Sequence, residues 1–321
     1  MKKYLSKLTV ATLATAYLAT TASAIDDGPR MYWNLPKDLN VIQTYLWMAH
    51  GNAVSPSAAQ FDPNAIVDMN VLLFGYNRVV DIAGHSTIFT VVVPAGNAQA
   101  TVGASLPVQG VGGGTVNIPI AKAESSRGIG DIYVQGTFNL FGGPALSMEE
   151  YATYQQSTLL SLLLAVSTPT GQYDSDQSVN MGLNRWAGRV ALPFVQTLGA
   201  WKPGSITTLE IMPGAWFYGD NNDAGGKRLK QDPLYTLETH LTQDLTPAAF
   251  VSLDYMYQTG GETTLDGVNQ DNNQNVDTIG LSLGYMLNPA TQFVFRYNAA
   301  LAPKTDELDL GIMEFNLNYL F

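Results

Sequence analysis

IGLSLGYML at Ile279–Leu287 and MEFNLNYLF at Met313–Phe321, the end of the chain, decide the fold. In the first, Ile279, Leu281, Leu283, Tyr285 and Leu287 alternate with Gly280, Ser282, Gly284 and Met286. In the second, Met313, Phe315, Leu317, Tyr319 and Phe321 alternate with Glu314, Asn316, Asn318 and Leu320. A period of two, not 3.6, marks strands with one apolar and one mostly polar face. Val251–Tyr257 and Phe293–Tyr297 follow the same rule. Carried backwards, it predicts eight more strands: Tyr235–Leu245, Ile206–Phe217, Arg185–Gln196, Leu159–Thr168, Asp131–Phe141, Ser86–Val93, Val67–Tyr76 and Asn40–Met48. The alternation is weakest towards the N-terminus, where Val71–Phe74 and Val91–Val93 are continuous apolar runs.

Twelve strands, most close to the ~9–11 residues a tilted membrane strand needs, fit a closed antiparallel β-barrel. The connections alternate as in outer-membrane barrels, short turns against longer loops. Gln243–Pro247 and Asn288–Ala290 are short; Pro94–Gly130, Gly171–Asn184, Tyr218–Leu234 and Gly260–Asn275 are long. The exception is Gly142–Ser157, long where a turn belongs, whose MEEYATYQQ has the composition of a short helix. Trp186, Phe194, Phe217, Tyr235, Tyr285, Phe293 and Tyr319 fall near strand ends on the apolar face, where interfacial girdles form. A soluble β-sandwich would instead carry shorter strands with polar outward faces.

The N-terminus explains how such a chain reaches a membrane. Lys2, Lys3 and Lys7 precede an apolar stretch from Leu8 to Ala19, then Ala22-Ser23-Ala24. This is the tripartite pattern of a secretory signal peptide cleaved after Ala24, leaving 25–321 as one barrel domain. The apolar stretch is too short to span a membrane as a helix.

Composition agrees. Only 13% of the 321 residues are charged, against about 25% in an ordinary soluble domain, while 46% are hydrophobic. The formal charge is −11, and losing three lysines and no acid with the signal takes it to −14, which argues against nucleic acid as a partner. The absence of cysteine removes disulfides, thiolate metal sites and cysteine nucleophiles.

Five ordered motifs carry a family resemblance: PTGQYD (Pro169–Asp174), NMGLNRW (Asn180–Trp186), LEIMPGAWFYGDNN (Leu209–Asn222), QDPLYTLETHLTQDL (Gln231–Leu245) and SLDYMYQTGGETTLDG (Ser252–Gly267). Over roughly Ser126–Phe321 the chain resembles the outer-membrane transporters of the "MetA-pathway of phenol degradation" family. The resemblance implies a barrel that passes hydrophobic or aromatic compounds.

With the apolar parity facing lipid, the other parity faces the lumen. It carries Arg185, Arg189, Glu210, Glu238, His240, Asp254, Arg296 and Glu314. An Arg or Lys on the lipid face at the midplane costs about 2–4 kcal/mol, so these side chains are expected inside. Two roles stay open: a polar path for solutes, or interior ion pairs that fill and stiffen the barrel. Arg185, opening a strand beside the interfacial Trp186, is either turn chemistry or a rim handle for solutes. Tyr319 and the terminal Phe321 resemble the assembly signal read by the barrel assembly machinery.

An enzyme is not expected. The three histidines are His50, His85 and His240, and His240 among carboxylates reads as an ion-pair member rather than a general base. The paired carboxylates Glu210 and Glu238 lie too deep for a glycosidase. Asp220–Gly226 and Asp266–Asn275 are oxygen-rich loops but lack the full spacing of a calcium loop. No cofactor or metal motif is visible. The expectation is an outer-membrane channel of a Gram-negative bacterium, partnered by lipid, small hydrophobic or aromatic solutes and the assembly machinery. The alternative is a non-transporting structural, adhesive or sensing barrel.

Overall fold

A computed structural model of the chain describes residues 18–19, 27–52, 66–109, 115–177, 179–301 and 309–321. Apart from 18–19, the expected signal segment and its cleavage site lie outside the described residues. All twelve expected strands are present. They are β1 (Asn40–Asn52), β2 (Ile66–Ile82), β3 (His85–Gln109), β4 (Thr115–Ile129, continuing as Tyr133–Phe141), β5 (Thr158–Ser167) and β6 (Ala187–Ala191, continuing as Phe194–Leu198). Then follow β7 (Thr207–Tyr218), β8 (Leu234–Thr246), β9 (Ala249–Gly260), β10 (Gln274–Asn288), β11 (Thr291–Ala300) and β12 (Asp309–Leu320).

Each strand pairs antiparallel with its sequence neighbours, and β1 closes the ring on β12, with Val41 opposite Leu320 and Asn52 opposite Asp309. The seam is finished by the last residue: Phe321 and Asn40 exchange two backbone hydrogen bonds of 2.9 Å. Closure leaves no unpaired edge in the barrel wall, the condition for crossing lipid with strands.

The outward parity supplies the lipid-facing surface. Leu281, Leu283, Leu253, Leu241 and Phe74 are exposed, and Trp186, Phe217 and Tyr235 cluster towards the long-loop end. Tyr285, Tyr319 and Phe321 mark the short-turn end, where Tyr319 and Phe321 stack 5.7 Å apart.

Two connections differ from expectation or explain it. Pro94–Gly130 is not a loop: β3 runs on to Gln109 and pairs with Thr115–Ile129, so a two-stranded extension continues β3 and β4 past the end of β5. Its sequence, rich in Ala, Gly, Asn, Gln and Thr, has little contrast between faces, which hid the alternation. Gly142–Ser157 is long, as read, and holds a single-turn helix α1 (Met148–Tyr151). A capping box opens it: the Ser147 N–H and hydroxyl donate to Glu150 at 2.8 Å, and these bonds hold the Glu150 carboxyl below the usual carboxylate range. Above the barrel, the oxygen-rich loops form a four-stranded sheet from Asn221–Ala224, Lys227–Gln231, Thr263–Leu265 and Val268–Asn269.

Candidate functional site: the barrel lumen

The lumen is not empty. Residues 27–39 precede β1, run down inside the barrel and leave it at the short-turn end. At their end the Asp38 N–H donates to the Val79 carbonyl at 3.0 Å and the Leu39 carbonyl accepts from the Val79 N–H at 2.9 Å; further in, backbone N–H groups are met by side chains of the wall. The Asp27 N–H donates to Glu238 at 2.9 Å and the Arg30 N–H donates to Glu210 at 2.9 Å. The Arg30 guanidinium pairs with Asp244 at 2.8 Å and lies 4.2 Å from the Phe250 ring centre. Trp33 Nε1 donates to Glu210 at 2.8 Å. Gly28, at φ 96°, passes so close to Arg296 that an added Cβ would lie 2.8 Å from its Nη1.

Asn34 is the lower anchor. Its N–H donates to Gln156, its amide donates to the Pro144 carbonyl and accepts from Asn139, and its carbonyl accepts from Tyr151. Gln156, Pro144 and Tyr151 all belong to the unusually long link between β4 and β5. That link clamps the inserted segment.

The sequence-predicted lumen residues are all buried, with Glu238 at 0% and Arg189 at 3% exposure. Arg189 sits between Asp27 at 2.7 Å and Glu238 at 2.8 Å. His240 pairs with Asp254 at 2.8 Å, and Arg296 with Glu314 at 3.2 Å. Glu210 joins the Arg30 and Trp33 contacts, while Arg185 lies apart near the long-loop end. There its Nη2 donates to Gln231 and its guanidinium lies 4.8 Å from the Tyr218 ring centre. Arg185 Nε and Nη1 are buried without a hydrogen-bond partner among the described residues. Ser252 donates to Asp254 at 2.5 Å rather than to His240, so serine and histidine here form no nucleophile–base pair.

Opposite this charged wall, β1–β3 turn apolar side chains inward. Val41, Tyr45, Val71, Leu73, Ile88 and Val92 border a cavity of about 270 Å³ between that wall and the inserted segment. A dry cavity of roughly 150 Å³ holds benzene, so a substituted single ring fits here. The two faces of β2 and β3 are thus both apolar, one towards lipid and one towards the cavity. This accounts for the continuous runs Val71–Phe74 and Val91–Val93.

The β5–β6 loop folds inward at the long-loop end. Val179 and Met181 pack on Tyr45, Val71 and Leu73. Asp131, at the kink of β4, fixes this loop by accepting the N–H groups of Gly171 at 2.7 Å and Leu183 at 2.8 Å. Gly171 and Gly182 touch backbone to backbone: a Cβ on Gly171 would lie 2.7 Å from the Gly182 Cα. The glycines of PTG and NMGLNRW are therefore close-approach residues. Asp131→Ala orphans both N–H groups, costing about 1–3 kcal/mol for each. Limited proteolysis is expected to cut within 171–184 several times faster in this variant than in the wild type.

The class of protein is now defined: a twelve-stranded, closed, antiparallel barrel of the outer-membrane type with an occupied lumen. Over residues 50–305 the chain matches the family model described as "Putative MetA-pathway of phenol degradation", and it belongs to that family. An outer membrane channel from Pseudomonas putida F1 has the same fold, with a TM-score of 0.73 at 17% identity over 92% of this chain and 100% of that one. The translocator domain of the autotransporter NalP from Neisseria meningitidis overlays less well, with a TM-score of 0.48 at 10% identity over 89% and 90% of the two chains. No curated protein matches the sequence significantly.

Proposed function

We propose that this barrel passes small hydrophobic or aromatic molecules across the outer membrane by gated diffusion, without catalysis. The observation that carries this reading is the cavity: one side the apolar face of β1–β3, the other the inserted segment with Arg189 and Trp216, and a ring-sized space between. An apolar solute loses little on leaving a lipid-like environment for β1–β3, and water is disfavoured along that wall. The family name and the likeness to an outer membrane channel support the same direction. The short turns would face the periplasm and the β5–β6 loop the exterior. In this reading Arg189, Glu210 and Glu238 hold the inserted segment in place rather than touch the solute along its whole route. Tyr319 and Phe321 would serve the assembly machinery from the finished seam.

The test is uptake. A deletion strain is expected to accumulate a labelled monoaromatic hydrocarbon several times more slowly than the same strain carrying the gene, at equal growth. Equal rates would favour the alternative, a structural or sensing barrel with a sealed lumen.

A further inference from the structure

The inserted segment begins close to the expected cleavage site, and the charges around it do not balance. Six carboxyl groups, those of Asp27, Glu210, Glu238, Asp244, Asp254 and Glu314, meet the guanidinium groups of Arg30, Arg189 and Arg296. His240, paired with Asp254, adds a fourth cation when protonated. The imbalance is sharpest at the upper end of the segment. There Asp27 and the fully buried Glu238 share the one guanidinium of Arg189, at 2.7 and 2.8 Å. One residue on, Gly28 lies against Arg296, whose own partner is Glu314 at 3.2 Å. Arg30 is committed lower down, to Asp244. Two buried carboxylates on a single guanidinium are costly unless a further cation or donor reaches them.

The expected processing supplies such a cation. Hydrolysis of the Ala24–Ile25 peptide bond by water sends a carboxylate away on the signal and leaves an α-amino group on Ile25. At neutral pH that group is mostly an ammonium with three donors, since its ordinary pKa is about 7.7–8.0. Ile25 stands two residues before Asp27, and two residues of chain reach no further than about 7 Å. Asp27 itself lies well inside. Its N–H donates to Glu238, which sits four residues into β8, about 13 Å along the strand from Leu234. Whatever course the two residues take, the new cation is held in the lumen.

We propose that the amino terminus created by signal cleavage is a structural element of the lumen. The Ile25 ammonium joins the Asp27–Arg189–Glu238 cluster as its second cation and pins the upper end of the inserted segment. Cleavage therefore completes the packing of the barrel as well as releasing the chain. A chain cut elsewhere places an uncharged peptide group at that point and leaves the cluster one cation short. The proposal is independent of which solute passes.

The test reads the amino terminus directly. The intact mass of the purified barrel is expected to give a chain that begins at Ile25, and a start elsewhere overturns the proposal. The α-amine is then dimethylated with 13C-formaldehyde and a borohydride reductant on the unfolded protein, which leaves it titratable. After refolding in detergent its NMR resonance is followed with pH; the lysine signals titrate far higher, near 10.4. Neighbouring carboxylates raise the pKa of an amine, whereas burial without a partner lowers it. The expected value lies at least about one unit above that of the same group in the unfolded protein. In Glu238→Gln that shift is expected to shrink by about half or more. If this variant refolds poorly, three glycines inserted after Ala24, which carry the amine up to about 10 Å away, are expected to abolish the shift. An unshifted value in the wild type would place the amine in solvent, and a lowered one would bury it alone; either overturns the proposal.

Discussion

Deleting residues 27–34 is expected to raise the ion conductance of the barrel in planar bilayers by about tenfold or more, because a twelve-stranded wall encloses space for a water-filled path once nothing occupies it. The wall does not depend on these residues for closure. The strand ladder runs from β1 to β12 without them, and the Asn40–Phe321 seam lies beyond them. What the deletion removes is the filling. Asp27, Arg30, Trp33 and Asn34 together bond to Arg189, Glu210, Glu238, Asp244, Gln156 and Asn139. The heat-dependent gel mobility typical of a folded barrel should persist in the deletion variant. Unchanged conductance with that mobility retained would mean that the β5–β6 loop alone seals the lumen.

The second large effect is expected from Arg189→Met. Arg189 joins the wall to the inserted segment, lying between Glu238 on β8 and Asp27 on the segment at 2.8 and 2.7 Å. Removing one member of a buried ion-pair group costs about 3–5 kcal/mol, here chiefly because the fully buried Glu238 carboxylate loses its cation. Two readouts should move together: the temperature at which the barrel loses its folded mobility falls, and conductance rises as the segment loosens. Adding Glu238→Gln should restore part of the stability, because it removes one stranded charge. Loss of stability without any change in conductance would show that Asn34 and its partners hold the segment unaided.

The barrel was legible because its wall obeys one local rule. Leu281, Leu283 and Tyr285 meet lipid while Ser282 and Gly284 do not, and that contrast repeats in strand after strand. The inserted segment was invisible for the opposite reason. DGPRMYWNLP has no period, and its partners lie far along the chain, with Arg30 bonding Glu210 180 positions away and Thr242 212 away. Parity pointed to a set of charged residues as candidates for the lumen but not to what they bond, since Asp27 and Arg30 come from outside the strands. Asp131 reads in the sequence only as the start of a strand, although Gly130 beside it lies close to the Pro94 ring and the Met181 carbonyl. The apolar cavity left a trace that periodicity alone treats as noise. Where β2 and β3 lose their alternation, both of their faces need apolar side chains.

The central claim is that solutes occupy the space between the inserted segment and β1–β3. The most direct measurement is the anomalous scattering of bromine from crystals soaked in a brominated monoaromatic alcohol. A bromine peak within contact of Val71, Leu73, Ile88 or Val92 on the inner face is the predicted result. Bromine found only on the lipid-facing surface, around residues such as Leu281 and Phe74, would contradict it.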